Sequence, residues 1–146
     1  MKYDFKGVSV EELTYKLNRV RLEPNQKLDI KPQFARQVRK ANDNAKLIFI
    51  SLAVKIESTE AEPKPFNIDC GIVGIFELET DSYTPDEERS FVIEATQLLY
   101  PYLRSAVTNL TAQAYINPLN LPVINGPIFP EDRDVYVFGV GNNKDN

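Results

Sequence analysis

The sequence predicts an α+β domain: a four-stranded antiparallel sheet with one kinked or broken helix packed on it. Three observations carry this. Four successive stretches in the first eighty residues alternate apolar and polar side chains at period two, the spacing of strands. After residue 84 the apolar side chains recur at spacings of three and four, the spacing of a helix. The chain has 146 residues, enough for a single domain with a real core, since a domain of this size buries roughly 70% of its unfolded surface.

The first stretch is residues 10–17, in which Leu13, Tyr15 and Leu17 share a face. Val8 and Val10 are out of phase with them, which predicts a bulge near Glu11-Glu12. Alternation begins again at Lys27-Leu28-Asp29-Ile30, but Pro32 confines this stretch to an edge or a bulge, with resumption from Phe34 to Val38. Asn42-Asp43-Asn44 is a turn by composition. Residues 46–58 form the strongest strand: Ile48, Ile50, Leu52, Val54 and Ile56 fall on one face, four of them β-branched. The opposite face runs from apolar Leu47 and Phe49 to polar Lys55 and Glu57, so it is covered only in part.

Glu60-Ala61-Glu62-Pro63-Lys64-Pro65 is a loop, because its prolines cannot continue a ladder. The fourth strand, residues 66–78, sets Phe66, Ile68, Cys70, Ile72, Phe76 and Leu78 on one side. Thr84-Pro85-Asp86-Glu87 then reads as a helix start, with a capping Thr, a first-turn Pro and a Glu three residues after the Thr. The helical pattern runs to about residue 113, with a break or kink expected just before Tyr102 because of Pro101. Residues 117–130 combine four prolines with six large apolar side chains and read as an extended segment pinned over the sheet or helix. A short final strand over 135–140 and a flexible polar tail over 141–146 complete the expectation.

Composition narrows the function. The chain has no His, which removes imidazole as base, proton shuttle or metal ligand. One cysteine, Cys70, excludes an internal disulfide or a multi-cysteine zinc site, and its strand setting is that of a small buried hydrophobe. No phosphate loop, nucleophile elbow or calcium loop occurs. The expectation is therefore a protein that is not an enzyme, with no catalytic residues, no metal and no cofactor. The net charge of −4 is unevenly spread: residues 16–55 carry +7 and residues 56–146 carry −10. A basic stretch without a reading motif favours strands paired with acidic neighbours over a nucleic-acid face. The longest strictly apolar run, Leu47-Ile48-Phe49-Ile50, is far short of the ~20 residues of a membrane span. The first residues, Met1-Lys2-Tyr3-Asp4-Phe5-Lys6, lack the apolar core of a secretory signal, so a cytoplasmic location is expected.

Leu98-Leu99-Tyr100-Pro101-Tyr102-Leu103-Arg104, followed by Asn120-Leu121-Pro122-Val123-Ile124-Asn125, resembles the signature of the SecB family of bacterial export chaperones. Leu13-Thr14-Tyr15, Lys27-Leu28-Asp29-Ile30 and Gly74-Ile75-Phe76 are similar to the family's strands, so the likeness spans about residues 10–125 of a single SecB-like domain. It implies a dimer of dimers in which sheets join across subunits and the long helices lie between them. It also implies ATP-independent holding of unfolded or precursor polypeptides in hydrophobic grooves, for export through the motor SecA. The groove candidates here are Phe66, Ile68, Tyr100, Tyr102, Leu119, Leu121, Val123, Ile124 and Phe129, with core or interface packing as the competing role of each. Glu12 and Asp69 fall at acidic SecA-docking positions, while Lys16 and Asn67 depart from that pattern. Pro127, Pro130 and Gly139 interrupt the region of the family's final helix. Those departures keep a second reading open: a SecB-like adaptor or antitoxin-specific chaperone that binds one dedicated partner.

Overall fold

The computed structural model of the protein describes residues 1–20 and 29–133. Four strands, β1 (Tyr3–Leu17), β2 (Gln33–Lys40), β3 (Leu47–Ile56) and β4 (Phe66–Leu78), form one sheet in the order β1-β4-β3-β2. Every neighbouring pair is antiparallel. One helix, α1 (Pro85–Gln113), packs on the sheet. β2, β3 and β4 follow one another as neighbours while β1 lies outside β4, a Greek-key order read from its far end.

The alternating patterns of β3 and β4 set the core. Ile48, Ile50, Leu52, Val54 and Ile56 are all buried, as are Phe66, Ile68, Cys70, Ile72, Phe76 and Leu78, so the predicted inner faces are the real ones. α1 covers them with Phe91, Ala95, Leu99, Leu103 and Val107, spaced three or four apart along one helix face. Tyr3, Phe76 and Phe91 meet edge to face, with ring centroids 5.1 to 5.6 Å apart, where the start of the helix crosses the end of β4. The outer face carries Phe49, Val73 and Ile75 only half-buried, with charged residues beyond them.

The bulge predicted near Glu11-Glu12 is present: the register slips between Val10, opposite Ile72, and Glu12, opposite Gly71. It brings Val10 onto the same face as Leu13, Tyr15 and Leu17. A second slip lies between Phe5 and Gly7, whose φ of +153° suits glycine. That bulge hides the period over Tyr3, Phe5 and Val8, so the strand expected from residue 10 in fact begins at Tyr3. β2 begins at Gln33, directly after Pro32, and residues 29–32 take no part in the ladder. Lys27 and Leu28, the strand expected over 135–140 and the tail over 141–146 lie outside the described residues.

The capping box of α1 is complete. Thr84 Oγ1 accepts from Glu87 N at 3.1 Å and Glu87 Oε1 accepts from Thr84 N at 3.0 Å. The break expected before Tyr102 is absent, because α1 runs continuously through Pro101. A proline removes one ladder bond, and the buried side chains on both sides of it, Leu99, Tyr100 and Leu103, hold the two halves against one sheet. Pro130 likewise opens a helical turn over 130–133 rather than interrupting it, since the first turn of a helix needs no N–H from its proline. Among the described residues, no helix is long and apolar enough to cross a membrane.

Candidate functional site

Leaving α1, the chain doubles back as the predicted proline-rich segment, a strap without regular structure over 117–124. Its polar backbone groups need partners, and α1 supplies them from one face. Thr111 Oγ1 accepts from Leu119 N at 2.8 Å. Thr108 Oγ1 lies 3.2 Å from Leu119 O and 3.0 Å from the Asn120 side-chain oxygen, sharing one proton between them and its own helix. Arg104 Nε donates to Leu121 O at 3.1 Å, and Tyr100 Oη donates to Pro122 O at 2.6 Å. Positions 100, 104, 108 and 111 follow the helical repeat, so four polar side chains stand in a row along the strap.

The far end of the strap is anchored differently. Asp132 is buried and receives two hydrogen bonds from Arg36 of β2, at 2.6 and 3.0 Å. Arg36 also donates to Thr96 Oγ1 of α1 at 3.1 Å and stacks on Phe129 with its guanidinium carbon 4.5 Å from the ring centroid. Geometry of this kind, bidentate and largely desolvated, makes a charge pair count structurally. Four more cations of the basic stretch have acidic partners. Arg39 faces Glu11 at 3.7 Å, Lys40 faces Glu88 at 3.4 Å, Lys55 reaches Glu57 at 3.3 Å, and Lys31 meets Glu62 at 2.6 Å.

The groove candidates divide into three places. Tyr100, Leu119, Leu121, Val123, Ile124 and Phe129 belong to the strap and the helix side beneath it. There Tyr100, Leu121 and Phe129 are buried, Leu119 and Ile124 are half-buried, and Val123 stands 71% exposed. Tyr100 packs edge to face on Phe34 of β2, whereas Tyr102, 44% exposed, lies 5.8 Å from Phe5 of β1. Phe66 and Ile68 are buried on the inner face of β4, Phe66 beside Tyr15.

Glu12 and Asp69 both lie on the outer sheet face. Thr14 Oγ1 donates to Glu12 at 3.2 Å, and Asp69 sits 3.8 Å from Lys55. Lys16 is paired in register with Asn67 on that same face. Asn67 Oδ1 accepts from Asn18 Nδ2 and from Ser58 N, both at 2.9 Å, so an amide at this position ties the loop before β4 to the end of β1.

Two features escaped the sequence reading. The roles of Arg104, Thr108 and Thr111 show only once the strap is laid beside the helix, although polar residues recurring at helical spacing beside the apolar stripe were a usable signal. The second is a row of exposed apolar side chains, Val10, Leu13 and Leu17, on the helix-bearing side of the edge strand β1.

A family model described as preprotein translocase subunit SecB matches residues 3–129. The chain is 30% identical over 78 residues to the protein-export protein SecB of Anaplasma phagocytophilum, which covers 52% of this chain and 49% of that protein. It is 28% identical over 123 residues to an uncharacterized protein of Methanocaldococcus jannaschii, covering 83% of this chain and 77% of the other. The aligned stretch thus spans about half the length of the curated SecB relative. Among solved structures, the SecB-like chaperone of Mycobacterium tuberculosis in complex with a ChAD peptide from the HigA1 antitoxin superimposes with a TM-score of 0.72. It shares 19% identity with this chain and covers 86% of it, and 93% of the chaperone is matched.

Proposed function

This chain belongs to the SecB family, and from that premise we propose that it is an ATP-independent holdase that binds unfolded polypeptides beside the strap. The observation that carries the reading is the mixture along this segment: buried Tyr100, Leu121 and Phe129 lie beside half-buried Leu119 and Ile124 and exposed Val123, which remain open to a guest. Phe66 and Ile68 belong to the same apolar core, on the sheet side. Apolar surface of this kind gains about 25 cal/mol per Å² on contact with a client and reads no sequence. Binding alone does the work, with no chemical step and no cofactor, in the cytoplasm.

The exposed row Val10, Leu13 and Leu17 supports self-association through β1, whose outer edge has no strand beside it among the described residues. A dimer of dimers is the proposed assembly. The outer face supports a second reading of the partner. Lys16 and Lys55 stand among Glu12 and Asp69, so the face offers mixed charge rather than an acidic patch for the SecA motor. This weighs against SecA docking and supports the second reading, one dedicated protein partner, comparable to the antitoxin peptide bound by the mycobacterial chaperone.

The test is aggregation of a chemically denatured client on dilution. The protein in stoichiometric excess, without nucleotide, suppresses light scattering; equal scattering with and without it overturns the reading. Capture from the native lysate then separates many clients from one stoichiometric partner.

A further inference from the structure

We infer that Tyr100, Arg104 and Thr108 form a row that reads polypeptide main chain, and that residues 119–122 of the strap occupy it until an extended client segment takes their place. The inference rests on the chaperone reading and adds the groups that would hold a client's backbone. The strap's bonds are its evidence. Tyr100 donates to the carbonyl of Pro122 and Arg104 to that of Leu121, and Thr108 reaches that of Leu119. All three are main-chain acceptors, which every residue of every client possesses, proline included.

The strap is a weak occupant by construction. Over 117–124 it makes no strand pairing, and Pro118 and Pro122 have no N–H to offer. Leu121 alone of these residues is buried, while Pro118, Asn120, Pro122 and Val123 are exposed. Its outer end is fixed independently by the Arg36–Asp132 pair, so residues 119–124 can lift without release of the turn at 130–133. A client chain with apolar side chains at alternate positions offers the same carbonyls and more apolar area. Exchange therefore leaves no polar group of the row unpaired, which removes the main cost of opening it.

The experiment loosens the strap with Thr111→Val, which removes the acceptor of the Leu119 amide and keeps every apolar side chain of the strap, and titrates a reduced, carboxymethylated, permanently unfolded protein. Thr111→Val binds this probe about fivefold more tightly than the parent, the factor that one lost hydrogen bond of the strap yields. In the Thr111→Val background Arg104→Ala then weakens binding about tenfold, the size expected for a charged hydrogen bond. Equal or weaker binding by Thr111→Val, with Arg104→Ala silent in it, overturns the inference while leaving the holdase standing. Should Thr111→Val not fold, hydrogen exchange in the parent decides. The Leu119 amide, held by Thr111, loses protection when the unfolded protein is added; unchanged protection in the bound state contradicts displacement.

Discussion

Gly74 of β4 lies directly under Leu99 of α1. A Cβ there would stand 2.5 Å from one δ-methyl of Leu99 and 2.9 Å from the other, with the Phe76 ring also at 2.9 Å. Leu99 and Phe76 are fully buried and have no free space to retreat into, so Gly74→Ala destabilises the chain by about 1–3 kcal/mol, measured by urea unfolding. Cys70, on the same strand, is buried too, and the loss of hydration, aided by nearby Asp69 and Glu12, pushes its thiol from an ordinary value near 9 up to about 11. The thiol is thus protonated in the folded chain at a pH where the unfolded chain already ionises. Its stabilising share is complete below about pH 9 and is lost as the pH rises through about 11. Unfolding followed from pH 8 to 11.5 shows a shallower alkaline decline in Cys70→Ala than in the parent. Tyr3 and Tyr100, whose phenols burial also raises, keep their part of the decline in both chains.

At the scale of the element, the helix and the strap explain each other. Pro101 is exposed and interrupts nothing, so its replacement adds one backbone hydrogen bond without disturbing the packed face. Pro101→Ala therefore stabilises the chain by about 1–3 kcal/mol, read as a rise in Tm by circular dichroism. A fall in Tm would mean that the proline shapes the helix in a way the packing needs. The inner strands were legible in the sequence because period two is preserved wherever both neighbours are regular, as in β3 and β4. β1 was legible only from residue 10, since the bulges at Phe5/Gly7 and Val10/Glu12 each shift the phase by one residue. The strap was recognisable as a greasy, pinned segment, but the side chains that pin it were not. Thr108 and Thr111 look like ordinary helix residues until the returning backbone shows why hydroxyls stand there.

For the whole molecule, the surfaces proposed to meet other chains are the apolar row on β1 and the charged outer face. Val10, Leu13 and Leu17 are exposed, so changing one of them leaves the subunit's own core intact. Leu17→Glu buries a carboxylate from each subunit in any twofold contact that covers this row, and light scattering then gives the mass of a single chain in place of the oligomer expected of the parent. An oligomer of unchanged mass in the variant would place the contact elsewhere. The family and the sheet-plus-helix architecture were readable from Tyr100 to Arg104 and the strands behind them, whereas which of the apolar side chains around the strap stay exposed was not. Folding alone separates the buried ones from the exposed ones, and sequence gives both the same apolar letters. The central claim is that this chain holds polypeptide because it is unfolded, without nucleotide. Fluorescence anisotropy of one labelled protein, titrated both in its native form and after reduction and carboxymethylation, tests it most directly. Saturable binding of the unfolded form alone is the predicted result, and equal binding of both forms, or of neither, contradicts it.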